Sequence, residues 1–173
     1  LFLIVFVFIN GCKSKKQSQS KTNVKGQTKQ SNLNPTKLTI VQEKLNIDRL
    51  EVEKSKLYSF ITDWYGTPYR YGGCDKSGTD CSCFTHLLFK QVYNRTIERS
   101  SGDIYKACDK IKRSHLKEGD LVFFVTNGKG ISHVGVFLKD EKFVHASTSK
   151  GVMISSLTEA YFEKTFYGAG RHN

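Results

Sequence analysis

Downstream of Gly119 the apolar residues change period, and that change limits what this chain can fold into. The runs "DLVFFV" (120–125), "HVGVFLK" (133–139), "KFVHAST" (142–148) and "VMISS" (152–156) are short, β-branched or aromatic, and separated by turn residues, so they read as strands. Upstream the spacing is helical. In "KSKLYSFITDWY" (54–65), Leu57, Phe60, Ile61 and Trp64 fall on one face of a helix. After the Gly- and Pro-bearing loop "GTPYRYGG", residues Phe84, Leu87, Leu88 and Val92 recur at helical intervals, predicting a second helix from about Cys81 to about Asn94. Thr79 or Asp80 is placed to cap it, and a shorter helix is expected near 101–109. Helices first and an antiparallel sheet afterwards make an α+β domain.

The first 37 residues do not belong to that pattern. "LFLIVFVFIN" is almost wholly apolar but shorter than the roughly 20 residues a bilayer span requires. Residues 13–37 hold seven lysines and no acid, with Val24 and Leu33 as the sizeable apolar side chains. Such a stretch buries too little surface to offset its ordering entropy and reads as a disordered linker. Of the formal net charge of +11, only +4 remains on residues 38–173. The basicity is therefore that of a solvated tether, with no aromatic or arginine interleaving to suggest a nucleic-acid stripe. The apolar start has the length of a signal-peptide core and ends in "INGC", which is similar to a bacterial lipobox with Cys12 as acceptor. Asn10 stands where a small residue is usual. With no Met and no basic segment ahead of the core, further residues are expected before Leu1. The predicted organisation is residues 1–12 as lipoprotein signal, 13–37 as linker, and 38–173 as one domain, held at a membrane by a lipid on Cys12.

Four cysteines remain: Cys74, Cys81, Cys83 and Cys108. Their spacing lacks the paired C-x-x-C pattern of common zinc sites, so no metal is expected. Disulfides and a reactive thiol both stay open. Cys81 falls at the start of the second helix, where free backbone amides and the helix dipole favour an anion and should lower a thiol pKa. On the wheel Cys81 shares a side with Leu88 and Val92, while Cys83 points far round the other way. A thiolate nucleophile needs a base, and that base needs an orienting group. His133 and His145, in consecutive predicted strands, are the candidates, whereas His86, His115 and His172 read as solvated.

The stretches "WYGTPYRYGG", "GTDCSCF", "LKEGDLVFF", "SHVGVFL", "FVHAST" and "GVMISSL" resemble the NlpC family of bacterial cell-wall cysteine peptidases, over about residues 55–171. Within that family the Spr/MepS-type lipoproteins are the nearer pattern. The resemblance implies a papain-like α+β core and hydrolysis of peptidoglycan stem peptides or cross-links through an acyl-enzyme, without cofactor. It implies Cys81 as nucleophile, His133 as general base and His145 as the residue orienting that base. Tyr69 would line the site, and Asp80 and Ser82 would contact substrate beside the nucleophile. It also implies a monomer on the periplasmic side of a membrane, most simply the outer one, with no nucleic-acid partner. A non-catalytic wall-binding lipoprotein and an acyl-transferring enzyme of the same fold are the competing readings. The bond, a D,D cross-link or the γ-D-Glu–diaminopimelate amide, is left open, with the first modestly favoured. Two residues depart from the family pattern: Cys83 where Gly is usual, and Cys74 where a small polar residue is common. At most one disulfide can form among Cys74, Cys83 and Cys108, and the sequence does not choose it.

The stretch "HVGVFLKDEKFVH" carries a geometric condition. Opposed residues of an antiparallel pair share a face, and each step alternates it, so His133 and His145 share a face only if paired residue numbers have an even sum. A two-residue turn at Asp140-Glu141 gives an odd sum. A three-residue loop, Lys139 to Glu141, pairs Leu138 with Lys142 and requires Asp140 or Glu141 in the left-handed region. That loop is predicted, with both imidazoles turned towards Cys81.

Overall fold

The computed structural model describes residues 1–2 and 33–173. Three helices come first: α1 (Pro35–Leu45), α2 (Arg49–Lys54) and α3 (Lys56–Trp64). The Asn34 side chain accepts from the amides of Thr36 and Lys37 at 3.0 and 3.2 Å, and Pro35 takes a first-turn position where its missing N–H costs nothing. Leu38, Val41 and Leu45 form the buried stripe of α1, and Asn46 stops it in the left-handed conformation. Pro35–Lys37 were expected to be linker and are helical instead. The polar composition of 13–37 hid a capping sequence at its end. Residues 3–32, with Cys12, most of the apolar start and most of the expected linker, lie outside the described residues.

In α3, the predicted stripe of Leu57, Phe60, Ile61 and Trp64 is buried, and Phe60 stacks on Trp64 with ring centroids 5.6 Å apart. A two-stranded ribbon, β1 (Cys74–Asp75) with β2 (Gly78–Thr79), leads into α4 (Cys81–Leu88), which runs on as a π-helical stretch to Tyr93 and ends at a left-handed Asn94. Next come α5 (Ser101–Ala107) and β3 (Asp109–Ile111). The predicted strands follow with ends within two residues of expectation: β4 (Leu121–Phe124), β5 (His133–Phe137), β6 (Lys142–Ser147) and β7 (Gly151–Ser156). A helix, α6 (Ala160–Thr165), and a last strand, β8 (Phe166–Arg171), complete the chain. The six-stranded sheet is antiparallel in the order β3-β8-β4-β5-β6-β7.

The sheet has an apolar layer on each face. Phe123, Val134, Val136, Val144 and Ala146 pack towards the N-terminal helices, with Phe84 and Leu88 of α4 in the same cluster. Val122, Phe124, Phe137 and Phe143 face the other way, beneath Phe162 of α6. The β5–β6 hairpin has the predicted loop: Val136 pairs with Val144 and Phe137 with Phe143, and the Leu138 amide donates to the Lys142 carbonyl at 2.8 Å. Asp140 and Glu141 are both left-handed, at φ 50° and 59°, so the strain expected at one residue is shared by two. Pairing sums are even, and His133 and His145 emerge on one face. One step beyond the last pair, that register would set Gly135 opposite His145. A Cβ there would come within 2.6 Å of the Phe143 ring and 2.9 Å of the Val144 carbonyl oxygen, so close approach, and not a bulge, explains the glycine.

Candidate active site

Asp80 organises the start of α4. One carboxylate oxygen accepts from the Cys83 amide at 2.7 Å and the Ser82 hydroxyl at 2.8 Å, and the other from the Gly72 amide at 3.0 Å. The cap therefore ties the helix to the loop before it. Cys81, the first residue of α4, follows directly, with its own amide and that of Ser82 unused by the helix ladder. Those two amides and the amide of Val134 favour the anionic form of its sulfur. The third of these follows from the sheet. The β5–β6 ladder extends only to Val136 and Val144, and a continued ladder would send the Val134 N–H to Ala146. The strands part instead, which leaves the Val134 amide, one residue from His133, out of that ladder and able to favour the thiolate.

His133 and His145 bridge the parted strands. Nε2 of His133 lies 2.8 Å from Nδ1 of His145, and Nε2 of His145 lies 3.1 Å from the Ser155 hydroxyl. A polarity consistent with a base at Nδ1 of His133 runs one way: His133 Nε2–H donates to His145, and His145 Nε2–H donates to Ser155. Ser155 was missed in the sequence, although it is buried and pairs with Phe143 on the face of the imidazoles. The parity argument used for the histidines, extended one strand to "VMISS", would have found it. The imidazoles share their face with Phe124, Phe143 and Phe162. This is opposite to the face covered by α4, so the expectation that they point towards the helix of Cys81 is corrected. The thiol's link to this end of β5 is the amide of Val134, the residue after His133, and not a shared sheet face.

The charge state also differs from expectation. Burial pushes the Cys81 thiol up, the Asp80 charge adds to that rise, and the three amides only partly offset it. With Cys81 at 7% exposure, desolvation outweighs the first-turn field. Burial pushes His133 down to about 4, and His145 well below its ordinary value, with repulsion from His133 adding to the effect. At neutral pH the thiol and both imidazoles are uncharged.

The other predicted positions are near the thiol. Tyr69 is half-buried in the cleft wall, and burial first, then the Cys81 charge, raises its phenol pKa. Asp80 and Ser82 line the same cleft, about 460 Å³ in volume, with Cys81 in its wall. A smaller depression of about 70 Å³ is lined by His133, His145, Thr126, Ser147 and Tyr161. Cys83 is buried and bonded to Cys74, their Cα atoms 5.4 Å apart, so two departures from the family pattern form one disulfide. Cys108 is free and buried, its thiol pushed up to about 11 by desolvation. Of the histidines read as solvated, only His115 is exposed. His86 bonds the Ile97 carbonyl through Nδ1 at 2.7 Å, and His172 is half-buried with Nδ1 unpartnered. Among the described residues no group of three or more His, Cys, Asp or Glu is placed to hold a metal ion, and no helix is long and apolar enough to cross a membrane.

The profile of the NlpC/P60 family matches residues 66–171. The chain belongs to the NlpC/P60 family. It is 44% identical over 110 residues to the protein of Haemophilus influenzae named "Probable endopeptidase NlpC homolog", covering 64% of this chain and 58% of that one. It is 40% identical over 118 residues to the Escherichia coli K12 protein named "Murein DD-endopeptidase MepS/Murein LD-carboxypeptidase", covering 68% and 62%. This NlpC/P60 chain thus spans about three-fifths of the length of these curated relatives. A crystal structure of an NlpC/P60 family protein from Bacillus cereus superposes with a TM-score of 0.62 at 32% identity, covering 67% of this chain and 39% of that one. The mixed helical and antiparallel fold expected of an NlpC domain is the fold of this chain.

Proposed function

We propose that this NlpC/P60 chain is a peptidoglycan endopeptidase that hydrolyses an amide of the stem peptide or cross-link. One observation carries the reading: Cys81 stands at a helix start with its thiol influenced by the Val134 amide, and the adjoining His133 has one ring nitrogen held in a buried line through His145 to Ser155. A base held in one tautomer beside a thiol is what acyl transfer requires. His133 Nδ1 takes the thiol proton as sulfur bonds to the substrate carbonyl carbon. The imidazolium returns that proton to the departing amine, leaving a thioester, and His133 then activates the water that releases the acid. The Cys81 amide at the first turn is the donor for the developing oxyanion, worth about 2.7–4 kcal/mol in comparable sites. Because thiol and imidazole rest neutral, proton transfer accompanies attack and does not precede it. The chemistry consumes water alone.

The names of the relatives supply the substrate class, and the lipobox-like "INGC" supports a lipid at Cys12, placing the domain on a polar tether within the cell envelope. The test is product analysis on intact peptidoglycan with the wild type and Cys81→Ala. New amine ends made by the wild type alone support hydrolysis. Retention on the wall without new ends points to a binding protein, and new linkages to a transferase.

A further inference from the structure

Among the described residues, Arg99 is the only cationic side chain in the wall of the cleft that holds Cys81. Its one charged partner among the described residues is Asp80, at 3.8 Å, beyond hydrogen-bond range. Asp80 is already committed, with Ser82 and Cys83 on one oxygen and Gly72 on the other. Asp80 thus turns the guanidinium towards the cleft without occupying its donors, and the Arg99 side chain remains 45% exposed. A planar fork with free N–H groups in a substrate cleft fits a carboxylate.

The two depressions give that carboxylate a side. The leaving amine takes its proton from His133, so it departs by way of the small depression that His133 lines. The acyl group is bonded to Cys81 and extends into the large cleft, where Arg99 lies. We infer that Arg99 is a specificity residue that binds a free carboxylate on the acyl side of the scissile amide. The inference rests on the proposed endopeptidase reading and adds a preference for substrates whose carboxylate is not amidated. In peptidoglycan two stem residues offer such a group: D-glutamate linked through its γ-carboxyl, and diaminopimelate.

The experiment uses two matched pairs of stem peptides, one with the D-glutamate carboxylate free or as carboxamide, the other with the diaminopimelate carboxylate free or as carboxamide. kcat/KM is measured for wild type, Arg99→Gln and Arg99→Lys. In one pair the wild type should prefer the acid by about 10- to 100-fold, the range of a charge-assisted contact. Arg99→Gln should bring that ratio close to one, and Arg99→Lys should keep part of it. The pair that responds identifies the carboxylate. Binding of the same peptides to Cys81→Ala and to Cys81→Ala/Arg99→Gln, by calorimetry, reads the contact independently of turnover. Turnover that fails on all four peptides while binding discriminates would remove the endopeptidase reading and keep Arg99. Equal rates within both pairs, or a discrimination ratio that survives Arg99→Gln, would overturn the proposal and leave Arg99 as a partner of Asp80 alone.

Discussion

Replacing Cys74 by serine removes the Cys74–Cys83 disulfide while leaving α4 and the core untouched, because Cys74 is exposed and Cys83 keeps its buried place. The bridge spans a sequence separation of 9. Loop-closure entropy for about ten residues gives a stabilisation of roughly 2.7 kcal/mol at 25 °C. Cys83→Gly should cost more, because it also puts a glycine inside a helix and removes a buried side chain. Turnover should change little in either variant under conditions where it remains folded. The reason lies in the hydrogen bonds that hold the same loop without sulfur. Arg70 donates to Thr79, Gly73 to Arg70, Thr79 to Pro68, Asp80 to Gly73, and Gly72 to the Asp80 carboxylate. Urea unfolding of wild type and Cys74→Ser, each with and without reductant, measures the effect. Reductant should lower the wild-type midpoint to that of the variant and leave the variant unmoved. A wild-type midpoint indifferent to reductant would refute the staple. Loss of turnover in a Cys74→Ser protein that is still fully folded would show that the bridge positions the site.

Three further outcomes follow from burial and charge. Alkylation of Cys81 should be slow at pH 6 and accelerate into the alkaline range, because burial holds the thiol neutral, and Cys81→Ala should lose both hydrolysis and that label; fast labelling at pH 6 would contradict the neutral resting state. His133 binds protons more weakly in the fold, at about 4, than in the unfolded chain, near 6.5. Its contribution is therefore complete above 6.5 and lost as pH falls from 6.5 to 4, at most about 3 kcal/mol, with His145 acting in the same direction; urea melts across that window should be flatter for His133→Gln. A chain beginning at Leu38 lacks the Asn34 cap and Leu33, which packs on the core, and should be about 1–2 kcal/mol less stable than one beginning at Ser31. Equal melting of the two truncations would mean that the first turn of α1 contributes nothing.

How far the sequence could be read depended on whether a signal was local. Strands β4 to β7 announced themselves by composition, and α3 and α4 by their stripes, because each buries one face against a continuous core. Strand β8, "FYGAGR", escaped notice because its residues alternate with glycines. Gly170 sits against Cys108, where a Cβ would come within 2.5 Å of the Cys108 Cβ, so packing with a neighbour and not propensity makes this segment a strand. Helix α1 was lost in a polar run whose last residues are a cap. At the site, parity alone placed His133 and His145 on one face, since register is a property of the hairpin and the hairpin is contiguous. Parity could not say which face. That depends on how α4 is laid on the sheet, and it put the thiol and the imidazoles on opposite sides of β5. The parted end of β5 and β6 is where the two sides communicate: a regular ladder would consume the Val134 amide, which instead influences the Cys81 thiol one residue from His133. The opening is visible in no residue type, and it also determines the charge state. A cysteine at an exposed helix start would have been a thiolate. At the opened seam between two strands it is buried, and its pKa rises.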